Sequence, residues 1–289
     1  MKTLHDTRKE SVDNMKKSGI ESAAFDFDYI LSECFGISKA KQLSEPQLCL
    51  EKQEQSRLCE IINRYISGEP LQYLLGFTWF MDSKFTVGPQ VLIPRSDTEI
   101  LCESAIQAIR EKSRPVQILD LCSGSGCIGI SILKACPDSR LVMADISEYA
   151  VSLSRKNARD LIPGLDYQVM QSDLFDALPD ENFDFIVSNP PYIASPIVDG
   201  LEDRVKKYEP RLALDGGPDG LTVYRRMISE APSHLNCGGM LILEIGYDQA
   251  AAVKNLLERA HFTNIRLLKD YGGNYRVAAA CLSSSSKTV

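Results

Sequence analysis

The sequence has no apolar run approaching the roughly 18 to 20 residues that a membrane-spanning helix needs. It has three histidines, His5, His234 and His261, one tryptophan, and no C-x-x-C pair among its nine cysteines. A bilayer-spanning helix, a disulfide scaffold and a cysteine-paired zinc site are thereby excluded. Excess positive charge is missing too: 32 basic residues stand against 39 acidic ones, a net of -7. Such a chain lays no broad electrostatic trap for a phosphate backbone, and stable nucleic-acid binding is not expected. The opening MKTLHDTRKESVDN is charged throughout and lacks the apolar centre of a secretory signal. With an odd cysteine count, a reducing cytoplasm is the expected setting.

What is present is enough apolar sequence for a core, 44% of 289 residues, in two unlike halves. Phe27, Ile30, Leu31 and Cys34 fall at i, i+3, i+4, i+7 and predict a helix over 22–35. Leu58, Ile61, Ile62, Tyr65 and Ile66 repeat the pattern after SEPQ, where Ser44 is the expected cap and Gln47 its box partner. Residues 1–68 therefore read as a small helical bundle for docking. The stretch 69–95 reads as a connector carrying a hairpin, GFTWFMDSKFTV, with Phe77 and Trp79 set against Phe85 and Val87 around an Asp82-Ser83 turn. From 96 to 289, β-rich runs at 116–121, 140–146, 166–173, 183–190 and 239–245 alternate with amphipathic stretches, the βαβ rhythm of a mostly parallel sheet. Val253, Leu256, Leu257 and Ala260 mark a crossover helix, and NIRLLKDY and YRVAAACL form an expected antiparallel pair. SSSSKT near the end reads as a frayed tail.

Residues 124–129, GSGCIG, match the glycine pattern of dinucleotide-binding loops. The surroundings point elsewhere. Asp120 ends the preceding strand inside the approach to the loop; a carboxylate repels a pyrophosphate but attracts a sulfonium and an α-amino group. The next two strands end in Asp145, placed for ribose hydroxyls, and Asp173, placed to accept from an adenine amino group. Three strand-end acids suit S-adenosyl-L-methionine, with Leu174 and Phe175 as candidate walls for the adenine. A structural strand-to-helix turn with solvated acids is the competing reading. Cys122 and Cys127 have no third ligand or nearby histidine, so they read as packed side chains and no metal is expected.

The fourth strand runs into Asn189-Pro190-Pro191-Tyr192. Two prolines cannot continue a central strand, so the chain leaves the sheet rigidly at the edge that carries the glycine loop. Asn189 offers a side-chain carbonyl and Pro190 a backbone carbonyl, with the proline rings and Tyr192 as flat walls. Such a corner fits a planar, conjugated NH2 that gains positive charge as it is methylated. A carboxamide and an adenine amino group both satisfy it.

In motif and order the chain resembles the HemK/PrmC family, the glutamine methyltransferases of peptide chain release factors. The resemblance rests on PLQYLLG (70–76), VLIPRSDTE (91–99), DLCSGSG (120–126), QSD (171–173), SNPPYI, YEPRLALDGGPDGL (208–221) and GGMLILEIGYDQ (238–249). It implies an α/β architecture: a Rossmann-like, seven-stranded S-adenosyl-L-methionine-dependent domain behind an all-α N-terminal bundle and a β-hairpin connector. It implies methylation of the glutamine side-chain nitrogen in the Gly-Gly-Gln motif of class 1 release factors; a single subunit is the simplest expectation for the enzyme. Carried onto this sequence, Cys122, Ser123, Gly124, Ser125 and Gly126 form the cofactor loop. Asp145 takes the ribose, Asp173 and Leu174 the adenine, and Asn189 borders the cofactor. Asn189, Pro190, Pro191 and Tyr192 cradle the substrate, with Asn189 and Pro190 as catalytic residues. Four positions depart from the family pattern: Cys122 for Gly, Trp79 for Glu, Ser96 for Pro, and Leu174 where some members have an aromatic. The remaining alternatives are an adenine amino methyltransferase on nucleic acid and a non-catalytic binding module. The acidic net charge and the lack of a basic, aromatic-laced reading segment weigh against the first, the intact loop and corner against the second.

Overall fold

The computed structural model describes residues 2–178 and 181–283, so the tail beyond 283 lies outside it. The chain divides into two compact units, Met1–Gly76 and Phe77–Val289. The first is helical: α1 (Leu4–Lys17), α2 (Ala23–Phe35), α3 (Lys39–Ser44), α4 (Lys52–Ile66) and α5 (Leu71–Leu75). The i, i+3, i+4 stripes read in the sequence are its core, with Phe27, Ile30 and Leu31 of α2 buried in one cluster with Leu58, Ile61, Ile62 and Tyr65 of α4. The start of α4 differs from expectation. Ser44 ends α3 and Pro46 lies in a turn. The capping box of α4 belongs instead to Glu51 and Glu54, whose carboxylate accepts from Glu51 N at 2.9 Å.

The second unit begins with a hairpin of β1 (Phe77–Phe80) and β2 (Ser83–Thr86). Phe80 pairs with Ser83 and Thr78 with Phe85, so the turn is Met81-Asp82, one residue earlier than the sequence suggested. In either register a two-residue turn pairs odd with even positions, so Phe77 and Trp79 cannot share a face with Phe85 and Val87 as the sequence reading had it. Phe80 and Phe85 lie on the buried face in an edge-to-face contact, while Trp79 is 57% exposed. The hairpin is part of the second core, since Phe80 and Phe85 share a cluster with Leu101 and Ile132. Buried Asn157 pins it further, accepting from Thr86 N at 2.9 Å and donating to Thr86 O at 3.0 Å. The stretch 69–95 is thus no separate connector: α5 belongs to the first unit and the hairpin to the second.

Beyond the hairpin run α6 (Glu99–Arg110), β3 (Gln117–Leu121), α7 (Cys127–Ala135), β4 (Arg140–Asp145), α8 (Glu148–Leu161), β5 (Tyr167–Gln171) and β6 (Phe183–Ser188). They are followed by α9 (Ser195–Val198), α10 (Asp203–Tyr208), α11 (Thr222–His234), β7 (Leu235–Glu244), α12 (Ala250–Arg259), β8 (Phe262–Lys269) and β9 (Tyr275–Leu282). Among the described residues the sheet has seven strands in the order β5-β4-β3-β6-β7-β9-β8. The first five are parallel; β9 is antiparallel to both β7 and β8. Strands covered on both faces read as continuous apolar runs because alternate residues enter different cores. Ile118 of β3 joins the layer of α6 and α7, and Leu119 joins the layer of α11 and α12.

The strand order reverses beside β3: the chain steps outward through β4 and β5, then returns to place β6 on the other side. Ligands of open α/β sheets bind at the carboxyl ends of strands at such a reversal. Leu121 is in register with Ser188, and the Ser188 hydroxyl donates to Leu121 O at 2.7 Å. The glycine loop and the proline corner therefore leave the sheet side by side. No helix among the described residues is long and apolar enough to cross a membrane.

Candidate active site

The loop after β3 turns through left-handed backbone at Cys122 (φ 56°), Gly124 (φ 55°) and Gly126 (φ 79°). The first of these explains why glycine suits position 122; a Cβ there costs about 1 kcal/mol. The glycines do different work. A Cβ on Gly124 would meet no atom within 4 Å and would enter open space, whereas one on Gly126 would lie 2.9 Å from Ile130 Cδ1. On Gly129 it would sit 2.9 Å from Asp120 Oδ2. Gly124 thus leaves room for a ligand, and the other two permit close packing.

That contact changes the reading of Asp120. Its side chain is fully buried, Oδ2 accepts from Gly129 N at 2.9 Å, and Oδ1 has no partner among the described residues. Burial pushes its carboxyl up to about 8, a backbone hydrogen bond only partly offsetting this. It is protonated at neutral pH and is absent from the walls of the cavity described below. The attraction expected between Asp120 and a sulfonium is therefore not available; Asp120 ties α7 to the sheet.

Asp145 is placed as expected, at the end of β4 on the cavity wall. Its Oδ2 accepts from Gly124 N at 2.8 Å and its Oδ1 from Ser147 N at 2.9 Å. Burial raises its pKa, while these backbone hydrogen bonds favour the charged form. Each oxygen keeps a second lone pair for a ligand hydroxyl. Asp173 also lines the cavity, but both of its oxygens accept from Arg226 Nη1, at 3.0 and 3.2 Å. The acid read as the acceptor for an adenine amino group thus carries a cation that no motif in the sequence announced. Leu174 lines the cavity with a left-handed φ of 50°, whereas Phe175 turns away and stacks on His234, ring centroids 4.4 Å apart. Of these two, only Leu174 contributes to the apolar wall.

At the end of β6, Asn189 and Pro191 reach the cavity wall; Pro190 is buried and absent from that wall. Tyr192 is also absent from it, because its ring packs on the sheet and its hydroxyl donates to Glu244 Oε1 at 3.3 Å. Burial raises the phenol pKa, and the neighbouring carboxylate adds to this. Asn189 Nδ2 donates to Thr98 Oγ1 at 3.4 Å, which leaves the Asn189 carbonyl oxygen free of that contact. Thr98 belongs to VLIPRSDTE, whose role the sequence did not disclose. In the same stretch Ile93 N donates to Glu209 at 3.3 Å and Arg95 pairs with that buried carboxylate. The GGPDG stretch braces the corner from behind: a Cβ on Gly216 would fall 2.7 Å from Pro191 O, and one on Gly220 2.3 Å from Tyr192 O. Only glycine permits that approach, and Gly220 also has a φ of 74°.

Together these elements enclose a cavity of about 380 Å³, within the usual range for small-molecule sites. Its walls carry Asp145, Asp173 and Asn189, with Leu92, Ile128, Ile146 and Leu174 as apolar surface. Buried Ser123 Oγ has no partner among the described residues, and the space at Gly124 is open. A ligand with a diol, a flat heteroaromatic ring and a polar tail finds acceptors, an apolar wall and hydroxyls here, so the residues present fit S-adenosyl-L-methionine.

Comparison with known proteins agrees with this geometry. Residues 6–76 match the PrmC N-terminal domain and residues 98–201 the methyltransferase small domain. The release factor glutamine methyltransferase of Geobacter sulfurreducens is 36% identical over 91% of this chain and 91% of its own length. That of Moorella thermoacetica is 36% identical over 95% and 96%. A methyltransferase structure from Pyrococcus furiosus superposes with a TM-score of 0.50 at 16% identity, covering 81% of this chain and all of its own, a likeness of fold.

Proposed function

This chain belongs to the family of release factor glutamine methyltransferases, and from that premise we propose the roles its residues play in the reaction. The enzyme moves a methyl group from S-adenosyl-L-methionine to the side-chain amide nitrogen of a release factor glutamine. The bound cofactor supplies a methyl carbon made electrophilic by a sulfonium. Cys122 to Gly126 hold its polar tail, Asp145 its ribose and Leu174 its adenine face, with Asp173 at the adenine edge beside Arg226.

The protein must make a poor nucleophile react. An amide nitrogen shares its lone pair with the carbonyl; as the N–C bond forms it turns pyramidal and positive. Acceptors on its two hydrogens stabilise that state more than the planar one. Asn189 Oδ1 takes this part, while Pro190, buried and off the cavity wall, fixes the direction in which the chain leaves the sheet. Neither Pro190 nor Pro191 has an N–H, so the corner offers acceptors without a competing backbone donor. The observation that carries the assignment is the Asn189 Nδ2 contact with Thr98, which occupies the donor half of the side chain.

The acceptor is the glutamine of the Gly-Gly-Gln motif in class 1 release factors, and the enzyme acts as a single subunit in the cytoplasm, on translation termination. The acidic net charge disfavours a nucleic-acid acceptor. The test is incubation with labelled S-adenosyl-L-methionine and either an intact release factor or duplex DNA. The label is expected on the glutamine nitrogen, located by mass spectrometry; label in the DNA instead would refute the acceptor.

Residues 1–76 form the docking module for the factor. Their removal is expected to slow methylation of the intact factor at least about tenfold more than that of a free Gly-Gly-Gln peptide, a difference of roughly 1.4 kcal/mol. Equal losses on the two substrates count against docking.

A further inference from the structure

The hairpin of β1 and β2 has no part in the roles assigned above, yet it shares a buried side chain with the cofactor loop. Asn157 lies on α8 and is 1% exposed. Its Oδ1 accepts from Thr86 N at 2.9 Å and its Nδ2 donates to Thr86 O at 3.0 Å, so the amide meets the outer edge of β2 as a neighbouring strand would. The same Nδ2 donates to Ser125 O at 2.9 Å. One carboxamide thus joins the last residue of β2, 71 positions away in the chain, to the glycine loop, 32 positions away.

Polarity fixes the amide in this orientation. A carboxamide has two N–H donors and one carbonyl; here the donors meet carbonyl oxygens and the carbonyl meets an N–H. A half-turn would set NH2 against Thr86 N–H and oxygen against oxygen, and inside the fold each such mismatch leaves a polar group unpaired. The loop is held just as firmly at its end of the contact. The peptide between Ser125 and Gly126 is tied on its carbonyl side to Asn157 and on its N–H side to Ser123 O, which accepts from Gly126 N at 2.7 Å. Glycine on both sides of Ser125 supplies the left-handed turns, φ 55° at Gly124 and 79° at Gly126, but glycine leaves such turns as readily as it enters them. Asn157 removes that freedom. Ser125 lines the cavity and Asn157 does not, so the side chain acts from behind the wall. Ser154, three residues earlier on α8, backs the same loop: a Cβ on Gly126 would fall 3.1 Å from Ser154 Cβ.

We propose that Asn157 is a positioning residue for cofactor binding, acting through the Ser125 carbonyl, and that the hairpin is the splint that holds its amide in place. The inference deepens the assignment of Cys122–Gly126 to the cofactor's polar tail and rests on it. With the peptide pinned, the loop is ordered before the ligand arrives, and binding is relieved of that ordering entropy. A loop released from Asn157 must be ordered by the ligand itself, so the loss falls on affinity. At saturating cofactor the loop is seated and Asn189 acts as before.

The experiment measures S-adenosyl-L-methionine affinity by calorimetry on the full chain, with amide hydrogen exchange of the cofactor-free protein beside it. Asn157→Ala removes all three hydrogen bonds and is expected to bind at least about fivefold more weakly. Its kcat for an intact release factor at saturating cofactor should stay within about threefold of the parent. Exchange should quicken at Gly126 N while β3 and β4 keep parental protection. Val253→Ala, a buried change in α12 on the other face of the sheet, controls for lost stability alone; it should lower the melting temperature and leave affinity within about twofold. A loss below about fivefold in Asn157→Ala, a loss matched by Val253→Ala, or exchange quickened equally throughout the second unit overturns the positioning role. Thr86→Pro deletes the N–H that Asn157 accepts and leaves the Ser125 contact; it is expected to lose at least about threefold, and a smaller loss overturns the part given to the hairpin. Should Asn157→Ala not fold, Thr86→Pro decides the whole proposal by that same limit. A parent that binds no S-adenosyl-L-methionine refutes the loop assignment itself, an outcome distinct from a binding parent with indifferent variants.

Discussion

Asn189→Ala is expected to lower kcat for methylation of an intact release factor by about 10² to 10³, the cost of one oriented acceptor at a charge-developing atom, roughly 2.7 to 4 kcal/mol. Cofactor affinity should change by less than about threefold, because the proposed roles give most of the cofactor's polar groups to Asp145 and the loop at Cys122–Gly126 rather than to Asn189. The division follows from when the interaction matters. The planar amide in the ground state gains little from a second acceptor, whereas the pyramidal, positive nitrogen gains much. Loss should therefore appear in kcat with KM for the factor nearly unmoved. Asn189→Asp is the sharper companion: it keeps an acceptor oxygen but cannot donate to Thr98, so the aim is lost while the atom remains. Turnover of Asn189→Ala within about threefold of the parent would remove Asn189 from the reaction.

Asp145→Ala is expected to weaken S-adenosyl-L-methionine binding about 30-fold or more, read by calorimetry, since hydrogen bonds to a charged acceptor are worth about 1.5 to 3 kcal/mol each. Two losses add. The ribose hydroxyls lose their acceptor, and Gly124 N and Ser147 N lose theirs, at 2.8 and 2.9 Å, so the loop loses its hold on the end of β4. Asp145→Asn separates them, because a carboxamide retains one acceptor oxygen. If loop geometry dominates, Asn should recover most of the affinity; if the charge on the ribose dominates, it should recover little. Unchanged affinity in both variants would show that the ribose lies elsewhere.

The sequence disclosed most where function is written into local pattern. The βαβ alternation, the glycine turn and the double proline each act within a few residues, so their backbone consequences could be read before any tertiary contact was known. Asp145 and Asn189 stand at the cavity as read. The same reasoning misjudged residues whose state depends on what packs around them. Asp120 was read as a charge facing the ligand, yet it is buried against Gly129 and protonated at neutral pH. Phe175 was offered as an adenine wall, yet it stacks on His234, which lies in α11. Asp173 holds a cation from Arg226, 53 residues away. Trp79 points outward because a two-residue turn pairs odd with even positions, which puts Phe80, not Trp79, on the face of Phe85.

By itself, then, the sequence determined the α/β architecture, the two loops that meet at the end of the sheet, and the chemical types offered there, because strand and helix periods, glycine and proline act on their own backbone. Only the tertiary structure decided which acids keep their charge and which way Asn189 faces. Charge follows from burial, and orientation follows from the contact of Asn189 Nδ2 with Thr98 Oγ1, residues 91 positions apart in the chain that the parallel crossings of the sheet bring together.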